Sequence, residues 1–386
     1  MKYVKVWLLT CRSAAVAALL ATGIGFAPAA GGSAQTAQTT RSPLAEDVFK
    51  NVQILRGIPV DEFMDTMGMF SAATGLNCTN CHAADNSTSW DSYAVDTRLK
   101  QTARRMLRIV SAINKDSFGG ARAITCYTCH RGDQRPRVVP NLAVQYSAPA
   151  EDPNEIEAFR TPGLPSAEQV FDKYFQALGG APRLEALTTI VARGTYAGYD
   201  TEQAKVPVEI FAKAPAARTI IVHARFGDSV RTYDGRDAWI ASADRPLLLM
   251  PLTGGNLTGA RVDALLGFPL ALKQALGPWQ VGATTLDDHD VLVLQGVTQG
   301  QPPVNLYFDE SGLLVRVLRF TDTTVGRVPT QVDFSDYREI GGLKIAFRWT
   351  TTWTDGQSTI ELADAQTNVP VDSTNFRKPQ PARALK

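Results

Sequence analysis

The segments Gly75-Leu76-Asn77-Cys78-Thr79-Asn80-Cys81-His82 and Thr125-Cys126-Tyr127-Thr128-Cys129-His130 each contain the pattern Cys-x-x-Cys-His. This pattern is typical of c-type haem attachment. The two thiols bond the two vinyl groups of one porphyrin, and the adjacent histidine becomes an axial ligand of the iron. A single copy would also fit a redox dithiol or half of a zinc site. Two complete copies predict two covalently attached haems, with His82 and His130 as iron ligands.

The start of the chain has the pattern of a secretory signal peptide. Its basic residues are Lys2, Lys5 and Arg12. An apolar stretch over 13–27 follows, and Ala27-Pro28-Ala29 offers a small-residue cleavage site. We therefore predict a signal peptide over 1–29 and a periplasmic or extracellular protein. The alternative is an uncleaved leader that acts as a membrane anchor, although the apolar stretch is short for a span.

Charge and cysteine usage exclude several classes of protein. The formal net charge is +1 over 386 residues, so no bias toward nucleic acid is visible. Four of the five cysteines belong to the two motifs, and Cys11 lies in the leader. The mature chain therefore has no thiol left for a disulfide or a zinc site.

Changes in composition and in the spacing of apolar residues divide the chain into regions. Residues 30–43 read as a flexible lead-in, and 44–145 form a small, mainly helical di-haem domain. A Pro-rich linker over 146–165 follows. From 166 to 380, short alternating runs separated by turn signals predict an antiparallel curved β-sheet, half-barrel-like, with a few helices. The fold class predicted is therefore α+β and multidomain.

The second iron ligand is constrained by the inventory of histidine and methionine. The chain has four histidines, and the two outside the motifs, His223 and His289, lie in strand-rich sequence. Four methionines fall in the haem region: Met64, Met67, Met69 and Met106. The pattern predicts one Met-bearing helix over 59–74 and another over 96–114.

Each of these helices has an apolar face that carries methionine. Phe63, Met67 and Phe70 share one face of the first helix, and Met64 lies beside them. In the second helix the apolar stripe comprises Leu99, Ala103, Met106, Val110 and Ile113. Methionine is also a common core filler, so spacing alone leaves ligation and packing both open.

Four segments resemble the photosynthetic reaction-centre cytochrome c subunit family: Met67-Gly68-Met69-Phe70, Gly75 to His82, Ala103-Arg104-Arg105-Met106, and Thr125 to Gly132. In that family a helix before each motif supplies a methionine as the distal ligand. The resemblance implies this role for Met67 and Met106, with Met64 as the alternative for the first haem. That family's subunit carries four haems and this chain two, so the resemblance implies a haem-binding module rather than photosynthesis.

The second half contains no recognisable catalytic motif. The segments Tyr233-Asp234-Gly235 and Leu306-Tyr307-Phe308-Asp309 belong to a pattern similar to outer-membrane lipoprotein-sorting and carrier domains. That similarity implies a curved sheet with an apolar cavity, which binds an apolar ligand or a docking partner.

Three functions follow from these patterns. The first is a non-enzymatic electron carrier that passes single electrons between redox proteins outside the cytoplasm, with both haems ligated by His and Met. The second is a di-haem peroxidase-like enzyme with one open iron. The third is a haem-bearing sensor or carrier, in which the β-rich domain binds an apolar ligand or a partner. A membrane association follows only if the leader is uncleaved.

Overall fold

The computed structural model of the chain describes residues 42–83, 90–145, 163–298 and 300–384. The predicted signal peptide, nearly all of the lead-in and most of the predicted linker lie outside the described residues. The described residues belong to one compact unit. The boundaries of the haem domain and the β-rich domain stay predictions.

The region around the two motifs is helical. Its helices are α1 Ala45–Val48, α2 Val60–Thr74, α3 Cys78–Cys81, α4 Arg98–Phe118, α5 Cys126–His130 and α6 Leu142–Gln145. Helix α2 follows Pro59 and ends at Gly75, whose left-handed φ of 67° costs glycine less than any residue with a Cβ. A 3₁₀ turn at Trp90–Ala94 precedes α4.

Helix α4 differs from its prediction at both ends. The sequence predicted 96–114, whereas the helix begins at Arg98 after the N-cap Thr97, whose side chain accepts a hydrogen bond from the Lys100 backbone. It continues to Phe118 because the left-handed residue that ends it is Gly119, with a φ of 60°. Local capping chemistry therefore decided the boundaries.

The second half contains four further helices and one large sheet. The helices are α7 Ala167–Leu178, α8 Ala181–Glu185, α9 Gly254–Leu265 and α10 Pro269–Ala275. Strands β1 to β6 are Thr189–Gly198, Val206–Lys213, Ala217–Ala224, Gly227–Tyr233, Ala238–Ala241 and Met250–Pro251. Strands β7 to β13 are Trp279–Leu286, His289–Gly296, Val304–Phe308, Leu314–Thr323, Gly326–Ile340, Leu343–Trp353 and Gly356–Thr367.

All of these strands form one antiparallel sheet. Their order is β6-β5-β4-β3-β2-β1-β13-β12-β11-β10-β9-β8-β7, so the first and last strands meet in the middle. Within the described residues the edge strands β6 and β7 do not pair with each other, and the curved sheet stays unclosed. The predicted fold class, a helical region followed by a curved antiparallel sheet with a few helices, is confirmed.

Helices α7 to α10 cover part of one face of the sheet and form the main core with it. Phe171 of α7 and Leu272 of α10 are fully buried, as are Leu294, Leu306 and Phe308 on the strands. Phe171 also makes an edge-to-face contact with Trp279, with ring centroids 5.0 Å apart. Each such side chain contributes about 1.5–3 kcal/mol by leaving water.

Helix α2 packs on the turns and helices of the β-rich half. The buried Asp61 carboxylate accepts hydrogen bonds from the backbone nitrogen and the hydroxyl of Thr253, at 2.6 and 2.9 Å. Glu62 accepts from the Thr324 backbone nitrogen at 2.9 Å. Gly68 lies against Thr354 and Asp355, because a Cβ there would come within 2.5 Å of the Thr354 hydroxyl. The helical region is thus held on the β10–β11 and β12–β13 turns.

Candidate functional site

The first motif forms a single capped helical turn. The Asn77 side chain accepts a hydrogen bond from the Asn80 backbone nitrogen at 3.0 Å, and the Asn77 backbone nitrogen donates to the Asn80 side chain at 2.9 Å. Cys78 and Cys81 are three residues apart in the sequence. Because the capped turn is helical, their side chains share one face. The Thr97 hydroxyl donates to the Cys81 carbonyl at 2.5 Å, which joins this turn to the start of α4.

The second motif has the same architecture, built from different residues. Thr125 and Thr128 form the capping pair, and the Thr125 backbone nitrogen donates to the Thr128 hydroxyl at 3.0 Å. Cys126 and Cys129 again occupy one face of a short helix. The left-handed Arg131, with a φ of 50°, ends that helix.

The buried side chain of Asn114 in α4 positions the segment that leads into the second motif. Its side-chain amide donates to the Ile124 carbonyl at 2.8 Å, and its side-chain oxygen accepts from the Ile124 backbone nitrogen at 2.9 Å. The Gly132 backbone nitrogen donates to the Ala73 carbonyl at 2.9 Å, so the end of the motif packs on the end of α2. Asn114 was predicted only as the last residue of the second helix, and its hydrogen bonds to Ile124 were not predicted.

The two motif histidines are oriented in the same way. Nδ1 of His82 lies 3.0 Å from the carbonyl oxygen of Tyr93, and Nδ1 of His130 lies 2.9 Å from that of Asp133. A carbonyl accepts, so Nδ1 carries the proton and Nε2 is the nitrogen that can coordinate a metal. Burial lowers the pKa of His82, which favours the neutral imidazole that metals bind.

The motif cysteines are free thiols. Burial raises the pKa of Cys78, Cys81 and Cys126, and the nearby Asp355 carboxylate raises that of Cys78 further. Both effects favour the neutral thiol. Metal binding and disulfide exchange use the other form, the thiolate.

The methionines of α2 lie in different surroundings. Met69 is buried against Leu107 and Val325 as part of the core. Met67 is partly buried and packs on the edge of the same cluster, together with Phe63 and Phe70 as the sequence predicted. Met64 packs instead against Val60, Ile240 and Met250, on the side of α2 that faces the sheet.

Met106 lies on an exposed apolar face of α4. Leu107 and Asn114 are buried on the inner face. Met106, Ile109 and Ile113 are 38%, 50% and 40% exposed, and Tyr127 of the second motif is 51% exposed. The predicted stripe is thus not a single core face: Met106 and Ile113 point outward because the helix turns its Leu107 face inward. An uncovered apolar face beside the second motif fits a large apolar group.

The residues at both motifs therefore fit a c-type haem. Each offers two thiols on one face, a histidine with Nε2 available, and apolar side chains nearby. The remaining histidines lie in the sheet. His223 of β3 is paired with Asp228 at 2.8 Å, and His289 begins β8 and is exposed.

A cavity of about 570 Å³ lies between the sheet and the helices. Its lining extends from Cys78, Met64 and Trp90 at the first motif to Leu178 and Leu184 in the main core. Arg218, Arg231 and Arg319 also line it. These arginines were not predicted to line a cavity, because an arginine within an alternating strand is usually on the solvent side.

Residues 26–158 match the family model of the photosynthetic reaction centre cytochrome C subunit. The photosynthetic reaction center cytochrome c subunits of Thermochromatium tepidum and Rubrivivax gelatinosus are 35% and 32% identical, over 26% and 28% of this chain. These alignments span 25% and 29% of those relatives, so the chain spans about a quarter of their length.

The solved structures most similar to the chain include a LolA superfamily protein from Nitrosomonas europaea, with 14% identity and a TM-score of 0.37 over 56% of this chain and 99% of that one. A putative outer membrane lipoprotein-sorting protein domain from Vibrio parahaemolyticus has 11% identity and a TM-score of 0.35, over 55% and 98%. No helix among the described residues is long and apolar enough to cross a bilayer. Over residues 26–158 the chain is similar to the photosynthetic reaction centre cytochrome c subunit family.

Proposed function

We propose that this chain is an exported c-type cytochrome with two haems, which transfers single electrons between redox proteins outside the cytoplasm. The first haem is attached to Cys78 and Cys81, and the second to Cys126 and Cys129. His82 and Met67 would hold the first iron, and His130 and Met106 would hold the second. Met64 is the alternative to Met67.

The observation that carries this proposal is the matched geometry of the two histidines. Two motifs with different flanking residues both hold Nδ1 on a backbone carbonyl, at 3.0 and 2.9 Å. A metal-ligating histidine commonly has its other ring nitrogen fixed in this way, which sets the tautomer and the ring orientation.

A bound haem supplies a one-electron iron couple, and Met/His ligation raises its potential. The chain's own residues orient and enclose it. The capped turns at Asn77 and Thr125 fix the thiols, and the carbonyls of Tyr93 and Asp133 hold the imidazoles. The thioether sulfurs of Met67 and Met106 would serve as the second protein ligand of each iron, which would leave neither iron open to a substrate. Electron relay therefore fits the residues better than peroxidase-like catalysis.

A second function, a haem-bearing sensor or carrier, is supported by one observation. The cavity of about 570 Å³ is lined by residues of the β-rich half and also by Cys78 of the first motif. A ligand in this cavity would lie next to the first haem. The β-rich half then binds a ligand or a partner whose presence the haem reports.

The ligand assignment is tested by the absorbance spectrum of the oxidised protein, including the weak near-infrared band of sulfur-ligated haem iron. We expect the band in the wild type, its partial loss in Met67→Ala and in Met106→Ala, and its complete loss in the double variant. Met250→Leu, which changes a buried methionine outside the motifs, serves as the control. Loss in Met64→Ala but not in Met67→Ala assigns the first ligand to Met64.

A high-spin ferric signal in the wild type would contradict the closed irons and support the peroxidase-like alternative. Export is tested separately by determining the N-terminal sequence of the purified protein. We expect it to begin after the Ala27-Pro28-Ala29 segment. A chain that retains Met1 would support the membrane anchor instead.

A further inference from the structure

The second motif lies in a strongly basic part of the chain. Residues 90–145 contain ten lysines and arginines, four aspartates and no glutamate, which gives a net charge of +6. The whole chain has a net charge of +1, so the remaining residues together carry −5. The excess positive charge is therefore concentrated around the second motif rather than spread over the molecule.

The acidic groups of this region are mostly engaged by other basic residues. Three of the four aspartates form ion pairs: Asp91 with Lys50 at 2.9 Å, Asp96 with Arg104 at 2.7 Å, and Asp133 with Arg137 at 3.1 Å. The exposed basic side chains that have no ion-pair partner among the described residues include Arg98, Arg105, Arg108, Lys115, Arg131 and Arg135. The fourth aspartate, Asp116, is exposed on α4 and can neutralise only one of them.

Four of these cations lie along one side of α4. Arg98, Arg105, Arg108 and Lys115 are separated by seven, three and seven residues, a spacing that keeps side chains on the same side of a helix. We call these four residues the basic face of α4. No deletion of charge by burial applies to them, because all four side chains are exposed.

The basic face borders the exposed apolar face of α4. Ile109 directly follows Arg108 and is 50% exposed, and Ile113 is 40% exposed. Tyr127, inside the second motif, is 51% exposed, and the exposed Arg131 directly follows the motif histidine. An apolar centre with a polar rim is the usual arrangement of a protein–protein interface.

Haem propionates account for only part of this charge. The carboxylates of one haem engage a pair of guanidinium groups at most, if each contact is bidentate. The other cations face solvent, where a surface of one sign attracts an oppositely charged partner and orients it.

We propose that the basic face of α4 docks an electron-carrying protein whose own docking surface is rich in aspartate and glutamate. This inference rests on the proposed function, in which Met106 holds the second iron beside the basic face. Complementary charge brings the acidic carrier to this side of the molecule, and the apolar face excludes water from the contact. The second motif within this surface favours a redox protein over an anionic membrane, which has no electron to exchange.

Binding of the full-length protein to flavodoxin, an acidic electron carrier, tests the proposal by isothermal calorimetry with both proteins oxidised. The wild type should bind at least about tenfold more tightly at about 10 mM salt than at about 150 mM, because the screening length falls from about 30 Å to about 8 Å. Arg105→Glu/Arg108→Glu/Lys115→Glu should weaken binding at the lower salt concentration by at least about tenfold. Its haem absorbance spectrum should equal that of the wild type, which shows that the variant is folded.

The matched control is Lys173→Glu/Lys213→Glu/Lys344→Glu, which changes the net charge by the same amount at exposed positions of the β-rich half. It should retain the wild-type affinity within about threefold. Absence of binding, binding that does not depend on salt, or equal losses in the two variants would overturn the docking proposal. Absence of haem absorbance in the wild type would instead contradict the proposed function, since calorimetry measures binding without it.

Three other occupants of the basic face are distinguished by further measurements, and each would overturn the proposal. Co-sedimentation of the wild type with phosphatidylglycerol vesicles, without binding of flavodoxin, would assign the face to an anionic membrane. A salt-sensitive dimer in analytical ultracentrifugation, again without binding of flavodoxin, would assign it to a second copy of the chain. Flavodoxin binding that arises only after the acidic residues of 151–157 are changed to amides would assign the face to that segment of the chain.

Discussion

Nδ1 of His82 lies 3.0 Å from the carbonyl oxygen of Tyr93, and the rings of the same two residues are 4.7 Å apart. Tyr93 therefore fixes the imidazole twice, by a hydrogen bond from the ring nitrogen and by contact with its face. The second motif repeats the hydrogen bond with the Asp133 carbonyl. In both places Nδ1 is engaged by a backbone carbonyl, and Nε2 is the ring nitrogen that can coordinate a metal.

The histidine assignment predicts independent effects at the two irons. His82→Ala should convert one of the two irons to a high-spin form and leave the other low-spin, because each histidine serves a single haem. His130→Ala should do the same for the other iron. The measurement is the electron paramagnetic resonance spectrum of the oxidised protein. His223→Ala, which changes a histidine paired with Asp228, is the control and should leave both signals intact.

Removing the second haem should expose the apolar face of α4. The double variant Cys126→Ser/Cys129→Ser should bind more of a hydrophobic dye such as ANS than the wild type, since Met106, Ile109 and Ile113 lose their cover. Adding Ile109→Gln to that variant should reduce the extra dye fluorescence. If the dye fluorescence of the double variant equals that of the wild type, the haem does not cover this face.

Contact between the end of α2 and the second motif predicts a large effect at Gly75. A Cβ at Gly75 would come within 2.3 Å of the Gly132 carbonyl oxygen, whereas a Cβ at Gly57 would meet nothing within 4 Å. Both glycines have positive φ. Gly57→Ala should therefore cost only about 1 kcal/mol of backbone strain, and Gly75→Ala roughly a further 1–3 kcal/mol. Urea denaturation measures both, and equal losses would contradict the contact.

The buried carboxylate of Asp61 should contribute to the attachment of α2 to the β-rich half. Asp61 is 2% exposed and accepts two hydrogen bonds from Thr253, one from the backbone nitrogen and one from the hydroxyl, which lies within reach of both carboxylate oxygens. Asp61→Ala should lower the free energy of unfolding by about 2 kcal/mol, because hydrogen bonds to a charged group are lost. The change is measured by thermal or urea denaturation. Asp116→Ala, at an exposed position near the end of α4, should change it by less than about 0.5 kcal/mol.

Much of the fold was predictable because it depends on local chemistry. Ser166 and Gln169 form the capping box expected at the start of α7, and Gly75 ends α2 as expected. Alternating runs and glycine turns predicted an antiparallel sheet. The pairing of β1 with β13 was not predictable, because strand partners far apart in sequence leave no local signal.

The candidate site was predictable only in its covalent part. The spacing of Cys78, Cys81 and His82 is sufficient to predict covalent haem attachment from the sequence. The outward position of Met106 was missed, since a 4-3-4-3 stripe does not say which of two adjacent faces turns inward. The arginines of the cavity lining, Arg218, Arg231 and Arg319, were missed because the cavity forms only when helices pack across the curved sheet.

The most direct test of the account is the intact mass of the protein purified after export. The account predicts the mass of the mature chain plus two haems in the wild type, and plus one haem in either Cys78→Ser/Cys81→Ser or Cys126→Ser/Cys129→Ser. A mass equal to the mature chain alone, or a haem content unchanged by either pair of substitutions, would contradict the central claim.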